Sequence, residues 1–588
     1  MDCKNGRLKY CISYFLLFQS VVSIENPIIV NVSEGQLQGT KYLSRDGKSF
    51  FAFLGVNYAT PVRFEPPIPP QPWTGIREAT HFGPVCPQLL GQTNTVIGSE
   101  ECLFLNVFTP SPGLTGKYPA IVYIHGGAFM TGSGNLYGGS YFLDENVILI
   151  TINYRLGALG FLSTGDDIIQ GNVGLKDQNK ALRWVKSNVH AFGGDPNRIT
   201  IMGESAGSAS VSYHILSPMS KGLFNYAISQ SGTALDPEHF ERDPFAQALD
   251  LGESLGCPTS PTEELAECLR QSDFRKIVQI KLTKWHIDPL VQYPPTIETL
   301  REGQSESDVF LMEDPLVLLQ EGRFNRVPYV IGITEEEGLL FHSAYVLKNA
   351  ELQRNMNEDW NYVAPITLYY DKRYIPEEER NQISRTIRGF YFGGRKVEPN
   401  SATNLTNLYS DRLFNWGTRT AAMLQAKLSP VYPYIFGFIG DFTMLQLYYK
   451  DLFQGPVAAT HGDDLQYFFN STRYPYLRLD TRATKMSRDL VHLWASFAAT
   501  GNMMKSLEIL KIAWLPAGPE ELKRNRLKWC YIDIESKMIF RTPFADRMDF
   551  WDKISEQIDN NFKRILTINN DELILLPSPV VNENKDEL

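Results

Sequence analysis

Short, continuous apolar runs rich in β-branched and aromatic residues recur along the chain. Runs of this length, without alternating polar positions, predict strands buried on both faces of a sheet. They are YPAIVYI at 118–124, NVILITIN at 146–153, RITIM at 198–202, FNYAISQ at 224–230, RVPYVIGI at 326–333 and VYPYIFGF at 431–438. The pattern therefore predicts a sheet with helices packed on both sides.

Segments with helical periodicity separate several of these runs. In residues 174–194, apolar side chains recur at helical spacing, and Gly193 and Gly194 end the predicted helix. Alternating strands and helices predict an α/β fold: a large, mostly parallel central sheet flanked by helices, with the ligand site at the carboxyl ends of the strands. No repeat or low-complexity linker divides residues 24–570, so we predict one domain there.

Composition narrows the classes of partner. A chain of 588 residues with 43% hydrophobic content can bury a large core. The formal net charge is −10, and no basic tract is present that would neutralise phosphates. We therefore do not expect the protein to bind nucleic acid.

The two ends of the chain predict its compartment. Residues 1–23 have the layout of a signal peptide, with basic residues before an apolar stretch that is short for a membrane span; a membrane anchor or a buried strand is the alternative. The tail, residues 571–588, ends in Lys-Asp-Glu-Leu, which a KDEL retrieval receptor recognises. We therefore expect a protein of the endoplasmic reticulum lumen with no transmembrane span.

Sequons for N-glycosylation begin at Asn31, Asn404 and Asn470.

Cysteine usage agrees with an oxidising lumen. Beyond the predicted leader, two local pairs suggest themselves, Cys86 with Cys102 and Cys257 with Cys268, and each would contribute about 3 kcal/mol in the chain-entropy model. Cys530 is left over in an alternating, strand-like run, which predicts an inert buried thiol.

Residues 203–207, Gly-Glu-Ser-Ala-Gly, match the G-x-S-x-G pattern, which holds a serine on a strained strand-to-helix turn. The alternative is a turn of small residues without chemistry. A nucleophilic serine also needs amide donors for the oxyanion, which Ala206 and the HGGAF stretch at 125–129 could supply through the amides of Ala206, Gly127 and Ala128.

A serine nucleophile further needs a base and an acid that orients the base, in the chain order Ser, Asp or Glu, His. The histidines after Ser205 are His214, His239, His286, His342, His461 and His492. His461 follows a strand and a loop of small residues, which favours it over His214 and His492 on predicted helices; a solvated loop histidine is the alternative. Glu337, next to Gly338 at the end of an apolar strand, is the candidate acid.

These stretches resemble the type-B carboxylesterase and cholinesterase family of α/β-hydrolases over nearly the whole mature chain. The matching segments include FLGVNYATPVRFEPP, SEECLFLNVFTP, YIHGGAF, NYRLGALGFL, GNVGLKDQ, SQSGTAL, FNRVPYVIGITEEEG and ATHGDDLQYFF. The resemblance implies a catalytic triad of Ser205, Glu337 and His461, an oxyanion hole and an active-site gorge, with no metal or organic cofactor. It also implies both disulfides, a supporting hydrogen-bonding role for Ser231 behind the triad, and the ion pairs Arg63–Glu101 and Arg155–Asp177.

Two departures from the family pattern bear on the substrate. Ala128 stands where many relatives have a third glycine, and its methyl group should narrow the acyl side of the pocket. The loop from Cys86 to Cys102 contains no tryptophan on which a quaternary ammonium could stack, so choline esters are not expected to be preferred.

The resulting hypothesis is a serine hydrolase that cleaves uncharged carboxylic esters, and some amides or xenobiotics, through an acyl-enzyme. The alternatives are a slow-turnover scavenger, a non-catalytic binding protein of the same family, and an esterase with a narrow hormone or pheromone substrate. The sequence predicts no particular oligomeric state.

Overall fold

The computed structural model describes residues 27–571, apart from residues 92, 114–116, 283–289, 373, 450, 453–456, 472–473, 475–476, 478–480, 504–512, 533–537 and 542. The predicted leader and the KDEL tail lie outside the described residues. No helix in the described ranges is long and apolar enough to cross a membrane.

The six predicted apolar runs form the strands from β10 to β15, and the described residues add eleven further strands. The strands are numbered in chain order. They are β1 Ile28–Val32, β2 Gly35–Leu43, β3 Ser49–Asn57, β4 Thr60–Val62, β5 Glu65–Ile68, β6 Ile76–Glu78, β7 Gln88–Leu89, β8 Val96–Ile97, β9 Phe104–Thr109, β10 Tyr118–Ile124, β11 Ile148–Ile152, β12 Gly194–Glu204, β13 Tyr226–Gln230, β14 Tyr329–Thr334, β15 Val431–Phe436, β16 Trp529–Ile532 and β17 Met538–Arg541.

Within the described part of the chain, thirteen of these strands form one sheet in the order β1-β2-β3-β9-β11-β10-β12-β13-β14-β15-β16-β17, with β6 beside β2. The strands from β11 to β16 in this order are parallel. The pairings outside them are antiparallel, except that β6 pairs in parallel with β2. The predicted mostly parallel centre is therefore present.

The helices lie between and beside the strands. They are α1 Gly157–Phe161, α2 Val173–Asn188, α3 Ala206–Leu216, α4 Phe245–Leu255, α5 Thr262–Gln271, α6 Phe274–Gln279, α7 Pro315–Gln320, α8 Ala344–Lys348, α9 Ala350–Glu358, α10 Trp360–Thr367, α11 Glu377–Phe392, α12 Ala402–Ser410, α13 Trp416–Gln425, α14 Met444–Tyr448, α15 Arg482–Thr500, α16 Pro519–Lys523 and α17 Ala545–Asp571. Two π-helical turns, Leu339–Ser343 and Asp411–Asn415, directly precede α8 and α13.

Strand β10 shows why the strand sequences are apolar throughout. Val122 and Ile124 belong to the core on one face of the sheet, with α2 and α3, whereas Ile121 and Tyr123 belong to the core on the other face, with α15. Successive side chains of a strand point to opposite faces, so a strand covered on both sides needs apolar residues at every position.

Covalent and ionic contacts reinforce this frame. Disulfides join Cys86 to Cys102 and Cys257 to Cys268, as predicted. Cys530 is a buried thiol in β16, and burial raises its pKa well above the usual value.

One of the two expected scaffold ion pairs is present and the other is corrected. Arg155 pairs with Asp177 at 2.7 Å, and both side chains are buried. Arg63, however, pairs with Glu100 and not with Glu101: its Nε donates to Oε1 of Glu100 at 2.8 Å. Adjacent side chains in an extended segment point to opposite sides, and Glu101 is the one exposed to solvent.

Candidate active site

Ser205 occupies the sharp turn between β12 and α3. Its φ of 58° and ψ of −126° place a non-glycine residue in a strained conformation. The turn is possible because Gly203 and Gly207 lack side chains: a Cβ on Gly203 would lie 2.2 Å from the carbonyl oxygen of Gly207, and one on Gly207 would lie 2.0 Å from that of Ile124. The glycines of the G-x-S-x-G pattern are thus required by close backbone approach.

The loop after β10 lies beside this turn. A Cβ on Gly126 would lie 2.9 Å from the Cβ of Ser205. Gly127, Ala128 and Phe129 all have positive φ, at 115°, 57° and 57°. Among the described residues, the amides of Gly127 and Ala128 donate to no protein acceptor. Ala206 begins α3, so its amide is one of the helix N-terminal donors that lack an intrahelical acceptor.

Glu337 and His461 form a buried pair. Nδ1 of His461 lies 2.7 Å from Oε2 of Glu337, and the other carboxylate oxygen accepts from the amide of Thr334 at 2.6 Å. Glu337 is 1% exposed and His461 is 5% exposed. Because its second oxygen is bound by the backbone, the carboxylate is fixed in the orientation that meets the imidazole.

The loop that carries His461 is held by a second acid. Asp463 accepts hydrogen bonds from the amides of Thr460 and Met444, at 2.7 and 2.6 Å. A backbone bridge between Glu336 and Thr460 ties this loop to the segment that carries Glu337. The relative position of the acid and the imidazole therefore rests on main-chain contacts.

The outer nitrogen of His461 faces the residue that precedes Ser205. Nε2 lies 3.4 Å from Oε1 of Glu204. Across the described residues, no hydrogen bond links Ser205 Oγ to His461 in this state of the molecule. Hydrogen bonds between a nucleophile and its base often form only when substrate is bound, so the absence of this bond does not argue against a reaction between the two groups.

Three carboxylates control the charge of His461. Burial disfavours the imidazolium, but the negative charges of Glu337, Glu204 and Glu238 outweigh burial and raise the pKa of His461 to about 9. Sequence reasoning passed over Glu238, a 2% exposed carboxyl in the segment after β13. No sequence pattern marked it, because its relation to His461 depends on how that segment folds back.

Both π-helical turns contribute an aromatic ring to His461. Phe341 packs edge-on at 5.8 Å between ring centroids, and Phe414 lies at 4.9 Å. Such turns often occur at functional sites, because the extra residue re-aims the side chains of a helix. Neither ring could be assigned to the site from sequence, since both segments have ordinary helical composition.

The remaining predicted residues are placed as follows. Ser231 is buried, but in the described structure its Oγ has no hydrogen-bonding partner, so its supporting role is not visible.

Two other candidate histidines lie outside the site. His214 is a packed helix histidine bonded to Ser220 and Gln178, and His492 lies next to Glu145. In the described ranges, no group of three His, Cys, Asp or Glu side chains is arranged to hold a metal ion.

The sheet order and the serine turn at the carboxyl end of a parallel strand define an α/β-hydrolase. The Carboxylesterase family model matches residues 26–551, and the chain belongs to that family. It is a carboxylic ester hydrolase.

Similar proteins support this assignment. Esterase FE4 of Myzus persicae is 37% identical over 519 residues, which cover 85% of this chain and 89% of the relative. Juvenile hormone esterase of Tribolium castaneum is 34% identical, covering 81% and 84%. The crystal structure of juvenile hormone esterase from Manduca sexta, with OTFP covalently attached, superposes with a TM-score of 0.78 at 27% identity and covers 90% of this chain and 100% of that one.

Proposed function

We propose that this esterase hydrolyses small uncharged carboxylic esters through an acyl-enzyme on Ser205. The observation that carries the proposal is the buried Glu337–His461 pair, whose imidazole lies 3.4 Å from Glu204, the residue directly before a serine held at positive φ. A serine hydroxyl is a weak nucleophile at neutral pH, and an oriented imidazole is the group that can remove its proton.

In the acylation step, neutral His461 removes the proton of Ser205 as Oγ attacks the ester carbonyl. The amides of Gly127, Ala128 and Ala206 stabilise the resulting oxyanion. His461 then passes the proton to the alkoxy oxygen, the C–O bond breaks and the alcohol leaves.

Water repeats the cycle on the acyl-enzyme. His461 takes a proton from water as the oxygen attacks the acyl carbon, then returns a proton to Ser205 as the carboxylic acid leaves. Ser231 is buried directly after β13. We propose that it supports the triad by hydrogen bonding once substrate draws Ser205 and His461 together.

The charge around His461 supports uncharged substrates. Glu204, Glu238 and Glu337 surround the imidazole with negative charge, which disfavours anionic esters. The described residues of the Cys86–Cys102 loop offer no tryptophan for a quaternary ammonium. Neutral esters are not repelled by these carboxylates and do not need a stacking site for a cation.

Hydrolysis of p-nitrophenyl acetate, butyrate, octanoate and palmitate by the disulfide-intact protein tests this function. The expected result is sustained turnover with an optimum among the shorter acyl chains. A single burst equal to the enzyme concentration would instead identify a slow-turnover scavenger, and no reaction from folded protein would identify a binding protein.

We also propose that the protein resides in the lumen of the endoplasmic reticulum. The sequence of the leader and the KDEL tail supports this, and two disulfides suit an oxidising compartment. Deleting residues 585–588 should move the protein from cells into the medium. Equal retention of the full-length and shortened chains would contradict the proposed retrieval.

A further inference from the structure

A buried hydrogen bond joins the segment that carries His461 to the segment that holds Ser205. Asp464 lies on the histidine loop, in the 3₁₀ turn Asp463–Tyr467. Its Oδ2 accepts from Nε2 of Gln230 at 2.5 Å, and Gln230 is the last residue of β13. The amide of Ser205 donates to the carbonyl oxygen of Gln230 at 2.9 Å. Gln230 therefore contacts the histidine loop through its side chain and the serine turn through its main chain.

This contact is shielded from water and lies level with the nucleophile. The side chains of Gln230 and Asp464 are both buried. The parallel register of β12 and β13 places Gln230 opposite Glu204, the residue directly before Ser205. A hydrogen bond to a carboxylate is strong when its surroundings have a low dielectric constant and no water competes for it. It can therefore fix the separation of the two segments.

The surroundings of Asp464 make its charge costly. Burial, together with the carboxylates of Glu204 and Glu337, raises the pKa of Asp464 to about 7. The hydrogen bond from Gln230 and the charge of His461 act in the opposite direction. An acid that stays in an unfavourable environment beside reacting groups is typical of a functional site.

We propose that Asp464 is a positioning residue that holds His461 in register with Ser205. It acts through the hydrogen bond with Gln230. The inference rests on the proposed serine mechanism, in which both steps pass a proton between the serine and the imidazole. Main-chain contacts of the histidine loop with the segment that carries Glu337 fix the base against its acid. The link from Asp464 to Gln230 fixes the base against the nucleophile.

Steady-state hydrolysis of p-nitrophenyl butyrate tests the link, with rates compared on the pH-independent plateau where His461 is neutral. In Asp464→Leu the acceptor is lost at similar volume. We expect kcat to fall about 10- to 100-fold, because misplacing reacting groups by about 1 Å can cost a factor of this size. KM should stay within about twofold, since the contacts with bound substrate are unchanged.

Asp464→Asn separates the hydrogen bond from the charge. Its side-chain oxygen can still accept from Gln230, so kcat should stay within about threefold of the wild-type value. Equal losses in Asp464→Asn and Asp464→Leu would overturn the proposal, because the charge and not the hydrogen bond would then matter.

A double-variant cycle tests whether the two residues act together. Gln230→Met removes the donor at similar size and should lower kcat as Asp464→Leu does, and the double variant should lose no more than either single one. Losses that multiply would refute the link. If Asp464→Leu does not fold, the double variant replaces it in the comparison with Asp464→Asn, because it leaves neither buried polar group without a partner.

The matched control is Asp144→Leu, the same substitution at a buried acid outside the site that pairs with Arg45 at 2.8 Å. It should lower the unfolding temperature but leave kcat per folded molecule near the wild-type value. An equal loss of kcat in this control would attribute the effect to general destabilisation and overturn the proposal. Unchanged kcat in Asp464→Leu would overturn this inference alone, whereas a wild-type protein without turnover would overturn the proposed function and this inference together.

Discussion

Nδ1 of His461 lies 2.7 Å from Oε2 of Glu337, and neither side chain is accessible enough for water to replace the other. This pair orients the imidazole so that Nε2 can act as a base. Glu337→Gln keeps the shape but removes the charge, and kcat/KM for p-nitrophenyl butyrate should fall by about 10³- to 10⁴-fold.

Glu335→Gln is the matched control for that experiment. It changes a carboxylate two residues earlier that has no contact with His461, so kcat/KM should stay close to the wild-type value. Equal losses in the two variants would mean that Glu337 has no specific part in the reaction.

The pH dependence should report the carboxylates around His461. Only the neutral imidazole can accept a proton, so kcat/KM should rise with pH through the pKa of His461, about 9. Glu204→Gln removes one of the charges that raise this pKa, so the rising limb should move to lower pH.

Glu145→Gln, which removes the partner of His492, serves as the control and should leave the profile unchanged. A limb that stays in place or moves to higher pH in Glu204→Gln would show that Glu204 does not raise the pKa of His461.

Ala128 should limit the acyl group. Its methyl lies on the loop beside Ser205, and its φ of 57° is one that glycine adopts without cost. In Ala128→Gly the amide donor remains, so acetate hydrolysis should continue, while the rate ratio of octanoate to acetate should increase. The free energy of unfolding should rise by about 1 kcal/mol in urea denaturation, because left-handed strain is relieved. An unchanged ratio would exclude Ala128 as a determinant of chain length.

Glycosylation should occur at Asn31 before the other sequons. Asn31 is exposed on edge strand β1, where, among the described residues, its side chain bonds only the exposed side chain of Gln36. The half-buried Asn404 and Asn470 instead bond the main chain, at the carbonyl oxygen of Tyr391 and the amide of Ser140. After expression in the secretory pathway, Asn31→Gln should lose one glycan by mass spectrometry of the intact protein. Loss of a glycan in Asn404→Gln or Asn470→Gln, with none in Asn31→Gln, would contradict this ranking.

Much of the fold could be predicted because buried parallel strands leave a local signature. The runs that became β10 to β15 are apolar at successive positions, and β10 shows the cause, with neighbouring residues in the cores of opposite faces. The serine turn was also predictable, since Gly203 and Gly207 are required by contacts within a few residues or with the adjacent strand.

Features that depend on distant segments could not be predicted. Phe341 and Phe414 reach His461 only because two π-helical turns re-aim them. Glu238 acquires its significance from burial near His461, which no single stretch reveals. Glu101 was assigned to Arg63 from the family resemblance, and the assignment was wrong because the resemblance did not show which of two adjacent glutamates contacts the arginine.

The most direct test of the account is to identify the covalent intermediate. The protein is mixed with p-nitrophenyl acetate, quenched in acid within the first turnover, digested and analysed by mass spectrometry beside Ser205→Ala. The account predicts an acetyl group on the peptide that contains Ser205, no such adduct in the variant, and loss of turnover with it. An unmodified Ser205 peptide during rapid turnover, or full activity in Ser205→Ala, would contradict a serine mechanism at this site.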